Sequence, residues 1–208
     1  MFRSWARSFL AREGIDDPGA LGWLVEADGD GYTPKRALFE LVRLRWGLDR
    51  AADELVEQYQ AEYAGHVRLG DEIAIALRVL RDAGCRLGIV TNGAPSQVDK
   101  IERCGLAALV DGWAISETEG VAKPDRRLFE LAASRAGGSL DGAWMVGDHP
   151  VYDVGGGRDA GCTTVWVHRD RTWELTSYRP DHIVTTAAEV VTLVCEPDVY
   201  LPNIVFGG

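Results

Sequence analysis

From Asp71 onward the chain alternates short apolar runs with amphipathic stretches, and this alternation leaves few folds open to it. "DEIAIALRVLRDAG" has helical spacing, "CRLGIV" is a near-continuous apolar run, and "PSQVDKIERCGL" is helical again. The apolar runs return in "DGWAISE", "GAWMVGD" and "CTTVWVH". Between them lie "PDRRLFELAASRAG", a helix with Pro124 at its start, and "VYDVGGGRDAG", a helix weakened by glycines. A short run, "HIVT", and a last helix, "AAEVVTLV", close the series. Strands apolar along their whole length, alternating with helices, are buried on both faces, so the fold class is α/β with a parallel sheet flanked by helices. The preceding segment carries no strand signal. Phe2, Trp5, Phe9 and Leu10 recur at helical spacing before Gly14, and further helical patterns cover 21–27, the stretch from Pro34 to Gly47, and the stretch from Arg50. The expected organisation is a helical part over 1–70, an α/β core over 71–195 and a tail over 196–208.

With 208 residues, 46% of them hydrophobic, the chain can bury a sizeable core. Its formal net charge of −10 argues against nucleic acid or an anionic membrane surface as the main partner. A small anionic ligand stays open, because local dipoles and one lysine can outweigh distant charge. Cys85, Cys104, Cys162 and Cys195 form no CxxC pair and read as reduced thiols rather than a disulfide or zinc framework. No apolar run approaches a membrane span, and "MFRSWARSFLAREG" reads as an amphipathic helix rather than a signal peptide; a cytoplasmic location is the expectation.

In a doubly wound sheet, ligands bind beyond the carboxyl ends of the strands. Three strand ends carry conspicuous polar groups. Thr91, Asn92 and Gly93 follow "LGIV" and precede a helix, a setting that suits an anion. Lys123 lies in "ETEGVAKPD" after "WAIS", and Asp148 follows "WMVG", with Asp153 five residues on. Two carboxylates beside a strand end are hard oxygen ligands suited to Mg²⁺. Each group alone has a bland reading as a turn, a solvated helix start or a helix cap. In this order, at successive strand ends, they carry more weight.

Taken together, "LGIVTNG", "GVAKPDRRLF" and "MVGDHPVYDVGGGRDAG" resemble the second, third and fourth motifs of the haloacid dehalogenase superfamily, in its phosphatase-like branch. The resemblance implies a five-stranded Rossmann-like parallel sheet with a small helical cap. It also implies a hydrolase acting on a small phosphorylated molecule. By the same resemblance Thr91, Asn92 and Gly93 would bind the phosphoryl group, Lys123 would neutralise its charge, and Asp148 and Asp153 would hold Mg²⁺. Thr91 and Lys123 are thus the candidate catalytic groups. Such chemistry depends on positioning and charge neutralisation.

The family also uses a strand ending in Asp-x-Asp, ahead of the cap, whose first aspartate attacks phosphorus. Asp28-Gly29-Asp30-Gly31 matches by letter, but "LGWLVEA" before it has the pattern of a helix end rather than an apolar strand. As a calcium loop counted from Glu26, its twelfth position would be Ala37 rather than Glu. A polar turn between helices is the expectation. The nucleophile strand is then absent from the sequence, and its central slot calls for another occupant. Asn203-Ile204-Val205-Phe206, a β-prone run followed by Gly207, is the candidate, supplied by the same chain or exchanged between two copies as a homodimer. Two functional readings follow: a magnesium-dependent phosphatase by descent that is inactive as the sequence stands, or a non-catalytic phosphate- or metal-binding protein on the same fold.

Overall fold

The computed structural model describes residues 2–195 and 203–207, which form two compact units, Met1–Arg68 and Leu69–Gly208. In the first unit the apolar stripes form four helices: α1 (Phe2–Arg12), α2 (Ala20–Asp28), α3 (Lys35–Trp46) and α4 (Ala52–Tyr63). Their buried faces meet in an aromatic core, where Trp5 stacks on Phe9 at 5.1 Å and meets Tyr59 edge-on at 4.9 Å. Each such pair adds about 0.5–1.5 kcal/mol beyond the area it buries.

The DGDG stretch is a turn, as its flanking periodicity indicated. α2 ends at Asp28, and Gly29, Asp30 and Gly31 all take positive φ (56°, 56° and 93°), which reverses the chain toward α3. Glycine adopts this region at no steric cost. Asp28 itself is not a solvated turn residue: it is 3% exposed and accepts a 2.6 Å bond from Lys35 Nζ. That ammonium also lies over the rings of Phe2 and Tyr59. The first aspartate of the stretch is therefore part of the helical core.

The second unit runs α5 (Asp71–Asp82), β1 (Arg86–Thr91), α6 (Gln97–Arg103), β2 (Gly112–Ile115), α7 (Ser116–Glu119), α8 (Arg126–Arg135), β3 (Trp144–Gly147), α9 (Gly156–Asp159), β4 (Thr163–Val167), β5 (His182–Val184), α10 (Val190–Val194) and β6 (Asn203–Gly207). Every strand pairing is parallel, in the order β2-β1-β6-β3-β4-β5. The sheet has six strands rather than the five implied above, because the end of the chain adds one to the five upstream.

That added strand occupies the centre. β6 pairs with β1 from Arg86↔Asn203 to Val90↔Gly207 and with β3 from Trp144↔Ile204 to Val146↔Phe206. Side chains alternate across a strand, so Ile204 enters the core with Leu87 and Val146, and Val205 the opposite one with Val90, Phe129 and Met145. Both are essentially fully buried. β6 thus joins the two halves of the sheet and seals both faces. Residues 196–202 of the expected tail lie outside the described residues.

Two helix starts differ from the sequence reading. α8 begins at Arg126, capped by the Asp125 carboxylate that accepts from Arg127 N, so Pro124 precedes the cap instead of opening the helix. The glycine-rich helix after β3 is a wide π-helical turn, Pro150–Gly155, followed by the short α9. His149 caps that turn through Nδ1, which accepts from Val151 N and Tyr152 N. Among the described residues, no helix is long and apolar enough to cross a membrane.

Candidate active site

The carboxyl ends of β1, β6, β3 and β4 bring the candidate residues together. Thr91 is the last residue of β1, Gly207 of β6, and Asp148 directly follows β3. At their centre is a buried ion pair. Lys123 Nζ donates to Asp153 Oδ1 at 2.7 Å and to the Val90 carbonyl at 3.1 Å. The Lys123 and Asp153 side chains are 4% and 3% exposed. Asp153 Oδ2 accepts from the backbone N–H groups of Asp148 and His149, both at 3.0 Å. Two glycines make room for this carboxylate. A Cβ on Gly147 would stand 2.4 Å from Asp153 Oδ2, and one on Gly207 would stand 2.6 Å from Oδ1.

Asn92 holds Lys123 in place. Its Oδ1 accepts from Lys123 N at 2.7 Å, and its Nδ2 donates to Lys123 O at 3.1 Å. Both ends of the amide therefore bind the lysine's own backbone, across the cis Lys123–Pro124 segment. The Gly93 N–H donates to Ser116 Oγ at 2.9 Å, and the buried Thr91 hydroxyl accepts from Gln97 Nε2 at 3.1 Å. Of the groups the motif reading aimed at an anion, the Asn92 side chain and the Gly93 N–H thus serve to tie β1 to the segments after β2.

Asp148 is engaged from the far side. Its carboxylate Oδ2 meets Arg169 Nη1 at 2.8 Å and Arg171 Nη2 at 3.3 Å. Its carbonyl accepts from Arg171 Nη2 at 2.7 Å and from Trp166 Nε1 at 2.9 Å. His149 beside it has its pKa lowered, chiefly by burial, consistent with the neutral ring whose Nδ1 accepts two N–H groups. A cavity of about 520 Å³ opens next to these groups, lined by His149, Val151, Trp166, Arg171 and Leu175 among others.

Sequence reading had not singled out Arg169, Arg171, Trp166 or Gln97. The strand-end rule that found Asp148 also applies to "HRDR" after "TTVWV", and it would have found the two arginines.

The resemblance implies Mg²⁺, and the donor set can be tested against it. Mg²⁺ needs near-octahedral oxygen ligands, including at least one carboxylate that can turn toward it. Here Asp153 binds an ammonium and two N–H groups, and Asp148 binds two guanidinium groups. Among the described residues, no group of three His, Cys, Asp or Glu side chains converges on a metal position. As arranged, these residues do not fit the ion.

The comparisons agree with the geometry at the level of family. The model for the hydrolase family of haloacid dehalogenase-like hydrolases matches residues 12–161. The phosphoserine phosphatase of Thermus thermophilus is 36% identical over 157 residues, 75% of this chain and 63% of that protein. The ribulose-1,5-bisphosphate 5-phosphatase of Halopiger xanaduensis is 30% identical over 77% of this chain and 70% of its own length. The chain spans 63%, 56% and 37% of the lengths of the first three curated relatives it matches. In structure, a HAD phosphatase from Thermococcus onnurineus superimposes with a TM-score of 0.61 at 25% identity, over 95% of this chain and 90% of that one. The magnesium-bound HAD-hydrolase YfnB of Bacillus subtilis reaches 0.76 at 20% identity, over 93% and 91%, which speaks for the fold. Motifs at three successive strand ends, the parallel sheet that presents them and the relatives in sequence all agree: this chain belongs to the haloacid dehalogenase-like hydrolase family.

Proposed function

We propose that this chain is a phosphomonoester-handling member of its family, which binds the phosphoryl group of a small molecule at the carboxyl end of the sheet but does not by itself supply the attack on phosphorus. The observation that carries this reading is Lys123, a buried ammonium fixed by Asn92, Val90 and Asp153 where four strand ends converge. A fixed cation in a site of low polarity stabilises phosphoryl charge far more than one in water. The buried Thr91 hydroxyl at the end of β1 is a candidate second contact, and the cavity that His149 and Arg171 line has the size of ordinary small-ligand sites, about 300–1000 Å³. Several relatives carry names of phosphatases acting on small phosphate esters, which supports the same substrate class.

Among the described residues, no aspartate ends the central strand. The slot between β1 and β3, which the family resemblance assigns to the Asp-x-Asp strand, is filled by β6, and its terminal residue Gly207 has no side chain. Nor is there room for one while Asp153 keeps its position. The chain's own residues can bind and orient a phosphate monoester, and Lys123 can neutralise it, but no aspartyl-phosphate can form at Gly207.

The test is calorimetric titration with inorganic phosphate. Replacing Lys123 alone would strand a buried carboxylate, so the matched comparison is Lys123→Met together with Asp153→Asn. The wild type should bind, and the double variant should bind at least about tenfold more weakly, the loss of one charge-assisted contact. A wild-type chain that takes up no phosphate, or a double variant that binds equally well, would defeat the proposal.

A further inference from the structure

We infer that Arg169 and Arg171 stand in for a divalent cation at Asp148, so that the site takes its oxyanion ligand without metal. The ligand class rests on the phosphate reading above; the exclusion of metal does not. Asp148 is the carboxylate that the fourth motif offers to a metal ion, yet its Oδ2 lies 2.8 Å from Arg169 and 3.3 Å from Arg171, and Arg171 also grips its carbonyl at 2.7 Å. A Mg²⁺ ion would have to displace both guanidinium groups and then sit beside their charge.

A tight turn presents them. Arg169 and Asp170 hold φ of 46° and 62°, the left-handed region that residues bearing side chains disfavour. His168 fixes this bend, with its Nδ1 accepting from Asp170 N at 3.0 Å and its carbonyl from Arg171 N at 2.8 Å. Positive φ at both central residues, closed by Arg171 N donating to the His168 carbonyl, is the pattern of a type I′ turn, which sets the two arginines one residue apart beside Asp148. Guanidinium forks match the geometry of phosphate oxygens, and the two side chains are 50% and 31% exposed, so a solute can reach them. With Lys123 paired to Asp153 and both arginines paired to Asp148, three cations meet two carboxylates at this sheet end.

The experiment has two arms. Mn²⁺, a spectroscopic substitute for Mg²⁺, is titrated by electron paramagnetic resonance into the wild type and into Arg169→Ala/Arg171→Ala. Removing both guanidinium groups from Asp148 should tighten Mn²⁺ binding by at least about tenfold, equivalent to about 1.4 kcal/mol. The Arg169→Lys/Arg171→Lys variant should keep the metal out, which guards against a variant that is merely misfolded. In the second arm, inorganic phosphate should stabilise the wild type to the same extent in EDTA as in Mg²⁺. Equal Mn²⁺ affinity in the wild type and the alanine variant, or phosphate binding that requires Mg²⁺, overturns the inference. Phosphate silence in both buffers counts against the phosphate reading, while the Mn²⁺ comparison still decides the arginines.

Discussion

Gly207→Ala is the smallest change that probes how β6 meets the site. The new Cβ would lie 2.6 Å from Asp153 Oδ1, 2.7 Å from Cγ and 2.8 Å from Oδ2. Ordinary contact needs well over half an ångström more, yet the carboxylate cannot simply swing away. Lys123 and two backbone N–H groups hold it, and Gly147 walls its other side. Overpacking of this kind costs about 1–3 kcal/mol, and stretching one hydrogen bond to a charged group costs about 1.5–3 kcal/mol. Because the two overlap, we expect a net loss of about 2–4 kcal/mol. Urea unfolding followed by tryptophan fluorescence reads it directly as a fall in midpoint at constant slope. In an Asp153→Ser background the shorter side chain leaves space, and the same substitution should cost at least about 1 kcal/mol less. A loss under about 0.5 kcal/mol, the range of an ordinary surface change, would mean that Gly207 does not stand against Asp153 and that β6 is wrongly placed.

Deleting residues 203–208 should abolish cooperative folding of the α/β unit, since each buried backbone group left unpaired along β1 and β3 costs about 1–3 kcal/mol; an unchanged unfolding transition would refute it. Lys35→Met should destabilise the helical unit by about 2–3 kcal/mol, because it strands the buried Asp28 carboxylate, and pairing it with Asp28→Asn should recover part of the loss. Thermal unfolding of the two variants checks both outcomes. Burial raises the Cys85 and Cys162 thiols to about 11, so at pH 8 only about a thousandth of either is thiolate. A disulfide reagent at pH 8 should therefore label the exposed Cys195 and reach Cys85 and Cys162 only on unfolding; prompt labelling of all four would contradict the core as described.

Much of the fold could be read in the sequence because period and composition are local. Continuous apolar runs such as "LGIV" and "TTVWV" are recognisable without knowing their neighbours. The place of β6 followed from the family resemblance, which implies a central strand that no other run supplies, together with a physical requirement: a buried parallel sheet cannot leave that slot open, and 203–206 was the one β-prone run left. Other features arise only when distant residues meet. Asn92 closes on a backbone 31 residues away, and Arg169 reaches Asp148 across 21. No spacing in the sequence marks either bond. Asp28 shows the same limit at short range. Helical periodicity on both sides identified its turn, but the burial of its carboxylate depends on Lys35 folding back over Tyr59.

Steady-state release of phosphate from an aryl phosphate, with Mg²⁺ present, tests the proposed function most directly, because binding without attack on phosphorus predicts no turnover. With Gly207 at the end of the central strand, turnover should lie at least about a hundredfold below the roughly 1–1000 s⁻¹ of ordinary enzymes. Turnover inside that range, removed by Lys123→Met/Asp153→Asn, would show that a nucleophile reaches this site, and the account of an attack-deficient phosphate pocket would be contradicted.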